Sequence, residues 1–142
     1  MLIQRCPHRH PGHPVMPIWV NLYLAIILLS LPMGVMMLRR IEQDWLHPVG
    51  GVVSTLLSAA FVVAYWQPEA VPFQSTSVLL LFGFVIFWDG YSLQRMKKKL
   101  PEYLQVEDQP ELQPGNGAWL LGIIMMVPAY FFGAMVCMRA LG

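Results

Sequence analysis

Four long apolar runs, each bounded by proline or charged residues, are the feature that most constrains how this chain can fold. A helix of about 20 residues is about 30 Å long, which matches the hydrocarbon core of a bilayer. We therefore predict an all-α, polytopic membrane protein, a bundle of four transmembrane helices over residues 18–38, 49–66, 72–90 and 118–138. The composition agrees, because 12% of the residues are charged, against about 25% in a typical soluble domain.

The chain divides into a short head and one membrane domain. Residues 1–16 are polar and rich in His and Pro, and residues 17–142 form the single four-helix domain. Met16 directly precedes the first run, so translation from Met16 without the head is an alternative start. The first run is longer than the apolar region of a signal peptide, and no small-residue cleavage site follows it, so we predict a membrane anchor. The largest connection, residues 99–117, is predicted to be a cytoplasmic loop.

Lys and Arg residues near the ends of the runs predict the orientation. Arg39 and Arg40 follow the first run, and Arg95 and residues 97–99 follow the third, whereas residues 67–71 contain neither Lys nor Arg. We expect the basic segments to be cytoplasmic and both termini to lie on the outer side, in a multi-pass protein of a bacterial inner membrane. The net charge of +1 gives no reason to expect nucleic acid as a partner. The expected partners are the lipid bilayer and other membrane subunits, or a second copy.

The second and fourth runs carry small residues at helical spacing, which lets helix backbones approach closely in lipid. We predict that these two helices pack tightly, against each other or against a partner, through Gly50, Gly51, Ser54, Ser58, Ala118, Gly122, Ala129 and Gly133. The alternative is that small residues are simply common in membrane helices. Pro128 in the fourth run removes a backbone donor and is expected to kink its helix.

Asp89 is the single residue of most interest among the polar candidates. It follows Trp88 near the inner end of the third run, where aromatic residues mark the membrane interface. We expect a boundary carboxylate that pairs with Arg39, Arg40 or Arg95. The alternative is a proton or cation site, since a carboxylate within the bilayer is costly and usually functional.

Two further positions are candidates for a polar or ion site. Asn21, near the outer end of the first run, is able to hydrogen-bond across helices. His47 follows Glu42 and Asp44, and a carboxylate-imidazole set of this kind is able to bind a metal. A short solvated interfacial loop has the same composition and is the expected structure.

The head offers one thiol and three imidazoles, at Cys6, His8, His10 and His13. These groups are ligands for zinc or copper, but known zinc motifs separate their ligand pairs by a longer folded stretch, and Arg9 would repel a cation. We therefore predict no metal and no cofactor, and these four residues are only weak candidates.

The chain contains no nucleophile elbow, zinc-protease motif, P-loop or dinucleotide fingerprint. Our main hypothesis is a small non-catalytic accessory or scaffold subunit of a larger membrane complex, based on the small-residue stripes, the short chain and the lack of buried charge. The alternative is a small oligomeric channel or transporter with a pore lined by Asn21, Ser54, Ser58 or Asp89. A third hypothesis, an enzyme acting on lipid headgroups, requires the convergence of Asp44, His47 and Asp89.

Overall fold

The computed structural model describes residues 15–41, 44–71, 75–106 and 115–142. These ranges contain four α-helices and no strand: α1 (Ile18–Ile41), α2 (Leu46–Trp66), α3 (Ser75–Val106) and α4 (Asn116–Leu141). All four are long and apolar enough to span a membrane, which suggests a multi-pass membrane protein. The prediction of an all-α chain with four such helices is confirmed for the described residues. The head, residues 1–14, lies outside them.

All four helices extend beyond the predicted runs. α1 continues to Ile41, α2 begins at Leu46, α3 continues through Lys99 to Val106, and α4 extends by two or three residues at each end. The first part of the expected loop over residues 99–117 is therefore helical. Leu100 and Leu104, one turn apart on this extension, are both buried, and a periodic apolar pair that is removed from solvent favours continuation of the helix.

Successive helices run in opposite directions. At one end, Arg95 of α3 pairs with Asp44, just before α2 begins. At the other end, the Arg139 guanidinium of α4 donates to the Tyr65 carbonyl of α2. The two ends of the described chain thus lie at the same end of the bundle. α2 packs against all three other helices, whereas no described Cα of α1 lies within 8 Å of one in α4.

Aromatic side chains fill the bundle at the end where α1 begins. The Phe132 ring lies 4.9 Å from Tyr65 and 6.0 Å from Trp19 between ring centroids, and its centroid is 6.3 Å from that of Trp66. We call these four residues the aromatic cluster. Tyr65, Trp66 and Phe132 pack with the fully buried Val20 and Val62, whereas Trp19 is more than half exposed.

The small residues of α2 and α4 meet large rings of α3 at two positions. The backbone of Gly50 lies against the Trp88 ring, and that of Gly133 lies against the Phe82 ring, so closely that a methyl group at either glycine would overlap the ring. Ser54, Ser58 and Ala129 are buried as well. A methyl group at Gly51 would only touch Leu38 of α1, and Gly122 has no neighbour within 4 Å of the same point. The side chain of Ala118 lies outside the described part of the chain.

Candidate functional site

The Asp89 carboxylate lies inside the bundle and accepts two hydrogen bonds from hydroxyl groups. Ser54 Oγ donates to Oδ1 over 2.6 Å, and the Tyr130 hydroxyl donates to Oδ2 over 2.9 Å. The helix rise puts Ser54 about 12 Å from one end of α2 and about 18 Å from the other, so this carboxylate lies near mid-bundle. The expected pairing of Asp89 with an arginine is wrong, since Arg95 instead pairs with Asp44 and both partners of Asp89 are neutral.

A groove of ≈ 190 Å³ adjoins the carboxylate and is lined by all four helices. Its polar groups include Ser30 of α1, Thr55 and Ser58 of α2 and Tyr130 of α4, and its apolar wall includes Met125. We call this space the Asp89 groove. Because α1 and α4 both line it and their described backbones do not approach each other, the groove opens sideways between these two helices.

Tyr23 crosses the gap between α1 and α4 and enters the backbone of α4 just beyond Pro128. Its hydroxyl donates to the Met125 carbonyl over 2.8 Å and accepts the Ala129 N–H over 3.2 Å. In a regular helix, the Ala129 N–H would bond directly to the Met125 carbonyl. The tyrosine hydroxyl is therefore inserted into the hydrogen-bond ladder, which is one of the recognised causes of a helix kink.

His47 lies in the first turn of α2 and is fully buried. Its Nε2 lies 2.8 Å from Ser92 Oγ of α3, and its ring packs edge-on against Trp88 and Tyr91. The expectation of a solvated loop at this residue is wrong, because α2 begins earlier than the apolar run and carries the imidazole into the contact with α3.

The remaining candidates fall outside the site. Asn21 is exposed on α1 and does not line the groove. Glu42 and the four thiol and imidazole candidates of the head lie outside the described residues. Within the described ranges, no three His, Cys, Asp or Glu side chains are grouped closely enough to hold a metal ion. The lipid-headgroup enzyme gains no support, since Asp44 pairs with Arg95 while Asp89 bonds to Ser54 and Tyr130.

Sequence reasoning missed Tyr23, Tyr130 and Ser92. The available signal was the depth of Tyr130, which follows Pro128 in the middle of an apolar run, whereas interfacial tyrosines lie at the ends of runs. A tyrosine at that depth needs a partner for its hydroxyl, and a carboxylate within an apolar run needs partners as well. Ser92 carries no comparable signal, because its role depends on which residue of α2 faces it.

Four apolar helices around a partly buried carboxylate and its adjoining groove define the class of this molecule: an all-helical bundle whose helices are long and apolar enough for a multi-pass membrane protein. No protein-family model, curated protein or solved structure matches the chain.

Proposed function

We propose that this protein is a small membrane transporter that binds a small organic ammonium ion in the Asp89 groove. The observation that carries the proposal is the Asp89 carboxylate itself, which lies at mid-bundle beside a groove of ≈ 190 Å³. A charged group at this depth is costly, and such groups mark ion and substrate paths in membrane proteins.

Charge and lining both favour an organic cation. The two described hydrogen-bond partners of Asp89 are neutral hydroxyls, so neither of them compensates a negative charge on the carboxylate. A bound cation would compensate that charge. The wall combines the carboxylate with Tyr23, Tyr130 and the thioethers of Met125 and Met126. Tyrosine rings attract ammonium groups through their π faces, and methionine packs against irregular apolar surfaces. The volume corresponds to roughly six water molecules of about 30 Å³ each, which suits a compact ammonium.

Equilibrium binding of tetramethylammonium to the full chain in detergent tests this function. The wild type is expected to bind the probe, and Asp89→Asn is expected to abolish binding because it removes the charge and keeps the shape. Asp44→Asn is the matched control, since its side chain is 72% exposed and lies at the end of the bundle. Failure of the wild type to bind, or equal binding by Asp89→Asn, would overturn the proposal. Uptake of the radiolabelled probe into liposomes, absent in empty vesicles, then separates transport from binding alone.

A second candidate is an accessory subunit of a larger membrane complex, favoured by the sideways opening between α1 and α4. Gly122 lines this opening and has no neighbour within 4 Å, which suits close approach of a helix from another subunit. Blue-native electrophoresis in mild detergent is expected to give a complex that Gly122→Leu disrupts. Gly83→Leu is the control, because Gly83 is equally free of neighbours but lies away from the groove lining. Migration of the wild type as a free monomer would contradict this candidate.

The proposed setting is a bacterial inner membrane, with both termini outside and the basic helix ends in the cytoplasm. Arg39, Arg40, Arg95 and Lys97 all lie near the end of the bundle where α2 begins, and Arg139 lies at the other end. This asymmetry supports the orientation under the positive-inside rule.

A further inference from the structure

We infer that the Asp89 groove selects primary alkylammonium ions over quaternary ammonium ions, because the hydroxyl groups that line it are held as hydrogen-bond acceptors. The inference rests on the proposed function, since it concerns the same carboxylate and the same groove. It adds the class of cation, which carries N–H donors on its nitrogen and a short alkyl group.

The carboxylate and its nearest hydroxyl in the lining have no proton to offer a ligand. Tyr130 lines the groove, and its hydroxyl donates to Asp89 Oδ2 over 2.9 Å. A hydroxyl has one proton and two lone pairs, so the Tyr130 oxygen is able only to accept from a ligand. Each carboxylate oxygen accepts one hydrogen bond, from Ser54 or Tyr130, and keeps capacity to accept another.

Two further hydroxyl groups of the lining donate to backbone carbonyls of their own helices. Ser30 Oγ donates to the Ile27 carbonyl over 2.7 Å, and Thr55 Oγ1 donates to the Gly51 carbonyl over 2.8 Å. Turning either proton towards a ligand would break that bond, so both oxygens face a ligand as acceptors. The Tyr23 hydroxyl likewise donates to the backbone of α4. Four of the five hydroxyl groups among the described lining residues are therefore committed as donors.

Ser58 is the fifth hydroxyl and supplies an independent observation. It lines the groove and is only 8% exposed, yet it makes no hydrogen bond within the described residues. A buried serine in a helix usually has a partner, often the carbonyl one turn earlier. Ser58 follows Ser54, a donor to Asp89, by one turn and lies on the same face of α2. A ligand bound beside Asp89 is the group that would satisfy the Ser58 hydroxyl.

A lining of acceptors favours a cation that donates. A primary ammonium group carries three N–H donors, whereas a quaternary nitrogen carries none. The primary ion therefore gains hydrogen bonds to Asp89 and to the lining hydroxyls in addition to the attraction between charges. The acceptors stand on all four helices around the groove, which suits the tetrahedral donors of an ammonium better than the planar donor fork of a guanidinium.

The apolar part of the lining indicates where the alkyl group lies. Ile27 of α1 and Met125 of α4 contribute to the wall, and Met125 is half exposed. These two helices flank the sideways opening, and methionine adapts its shape to an apolar neighbour. The ammonium group thus points inward to Asp89, and the alkyl group faces the opening between α1 and α4.

Two isomeric cations test the selectivity. tert-Butylammonium and tetramethylammonium share one formula, one charge and nearly one shape, and only the first carries N–H donors. Both are charged near neutral pH. Because a primary ammonium is the more strongly hydrated of the two, a groove without acceptors would favour tetramethylammonium.

We expect the wild-type chain in detergent to bind tert-butylammonium at least about tenfold more tightly than tetramethylammonium, measured by isothermal titration calorimetry. Equal Kd values, or tighter binding of tetramethylammonium, would overturn this inference and leave the proposed function intact. Failure of both cations to bind would overturn the proposed function as well.

Variants of the lining test the part played by the hydroxyl groups. Ser58→Ala and Thr55→Val remove a hydroxyl with little change of volume, and each is expected to reduce the preference for tert-butylammonium by up to about tenfold. Residual binding of tetramethylammonium shows that a variant is folded. Ser77→Ala is the matched control, because Ser77 is exposed on α3 and lies outside the groove lining. An unchanged preference in both lining variants, or an equal reduction in Ser77→Ala, would overturn the inference.

Discussion

The Tyr23 hydroxyl accepts the backbone N–H of Ala129 and joins α1 to α4 at the point where Pro128 interrupts the helical ladder. The same hydroxyl donates to the Met125 carbonyl. In the described residues, α1 and α4 have no close backbone contact. These two hydrogen bonds and the stacking of Trp19 on Phe132 therefore help to link the two walls of the Asp89 groove, together with the buried cluster that contains Val20, Ala129 and Phe132.

We predict that Tyr23→Phe lowers the stability of the folded protein by about 0.5–1.5 kcal/mol, because it removes a side-chain hydrogen bond between α1 and α4. Thermal unfolding in detergent measures the change. The double mutant with Pro128→Ala is expected to lose less than the sum of the single losses, since a regular α4 bonds Ala129 to Met125 directly. Additive losses would show that the two sites are independent.

We predict that Gly50→Ala destabilises the bundle by about 1–3 kcal/mol, the usual cost of overpacking a filled site. The added methyl group overlaps the Trp88 ring, which also packs against Phe84 and His47. Gly51→Ala is the matched control on the next residue, where the added methyl group only touches Leu38 at 3.9 Å. Equal unfolding temperatures for the two variants would contradict the close contact of α2 with Trp88.

We predict that Gly133→Ala and Gly122→Ala have different effects on stability, although both glycines belong to the small-residue stripe on α4. Gly133 contacts the Phe82 ring, whereas Gly122 has nothing within 4 Å. We expect Gly133→Ala to lower stability by about 1 kcal/mol or more and Gly122→Ala to leave it unchanged or raise it slightly, because alanine is the better helix former. Unfolding of both variants in the same detergent gives the comparison, and a larger loss for Gly122→Ala would count against the described packing of α4.

The orientation is tested by cysteine labelling in spheroplasts, in a background with Cys6→Ser and Cys137→Ala. Lys98→Cys is expected to react with a membrane-impermeant maleimide only after permeabilisation, because basic ends remain in the cytoplasm. Gly142→Cys is expected to react in intact spheroplasts. Labelling with the reverse pattern would place the end of the bundle that contains His47 outside.

The number and approximate position of the helices were readable from the sequence, because bilayer thickness sets the length of an apolar run and backbone hydrogen bonding in lipid demands a helix. The loss of one backbone hydrogen bond at Pro128 was also readable, since proline lacks the backbone donor at any position. The continuation of α3 to Val106 was not readable from the sequence, because hydropathy marks where apolar residues end and not where the backbone hydrogen bonds of a helix end.

The neighbours of Asp89 were decided by the tertiary structure. A carboxylate near the end of an apolar run accepts hydrogen bonds either from a nearby arginine or from a hydroxyl group far away in the sequence. Which partner it has depends on how α2, α3 and α4 are rotated and shifted along their axes relative to one another. That register places Ser54 and Tyr130 against Asp89 and leaves Arg95 with Asp44. The sequence by itself determined four apolar helices, each a local property of its own segment. The groove, its carboxylate and the Tyr23 bridge depend on contacts between segments far apart in the chain, and only packing selects among those contacts.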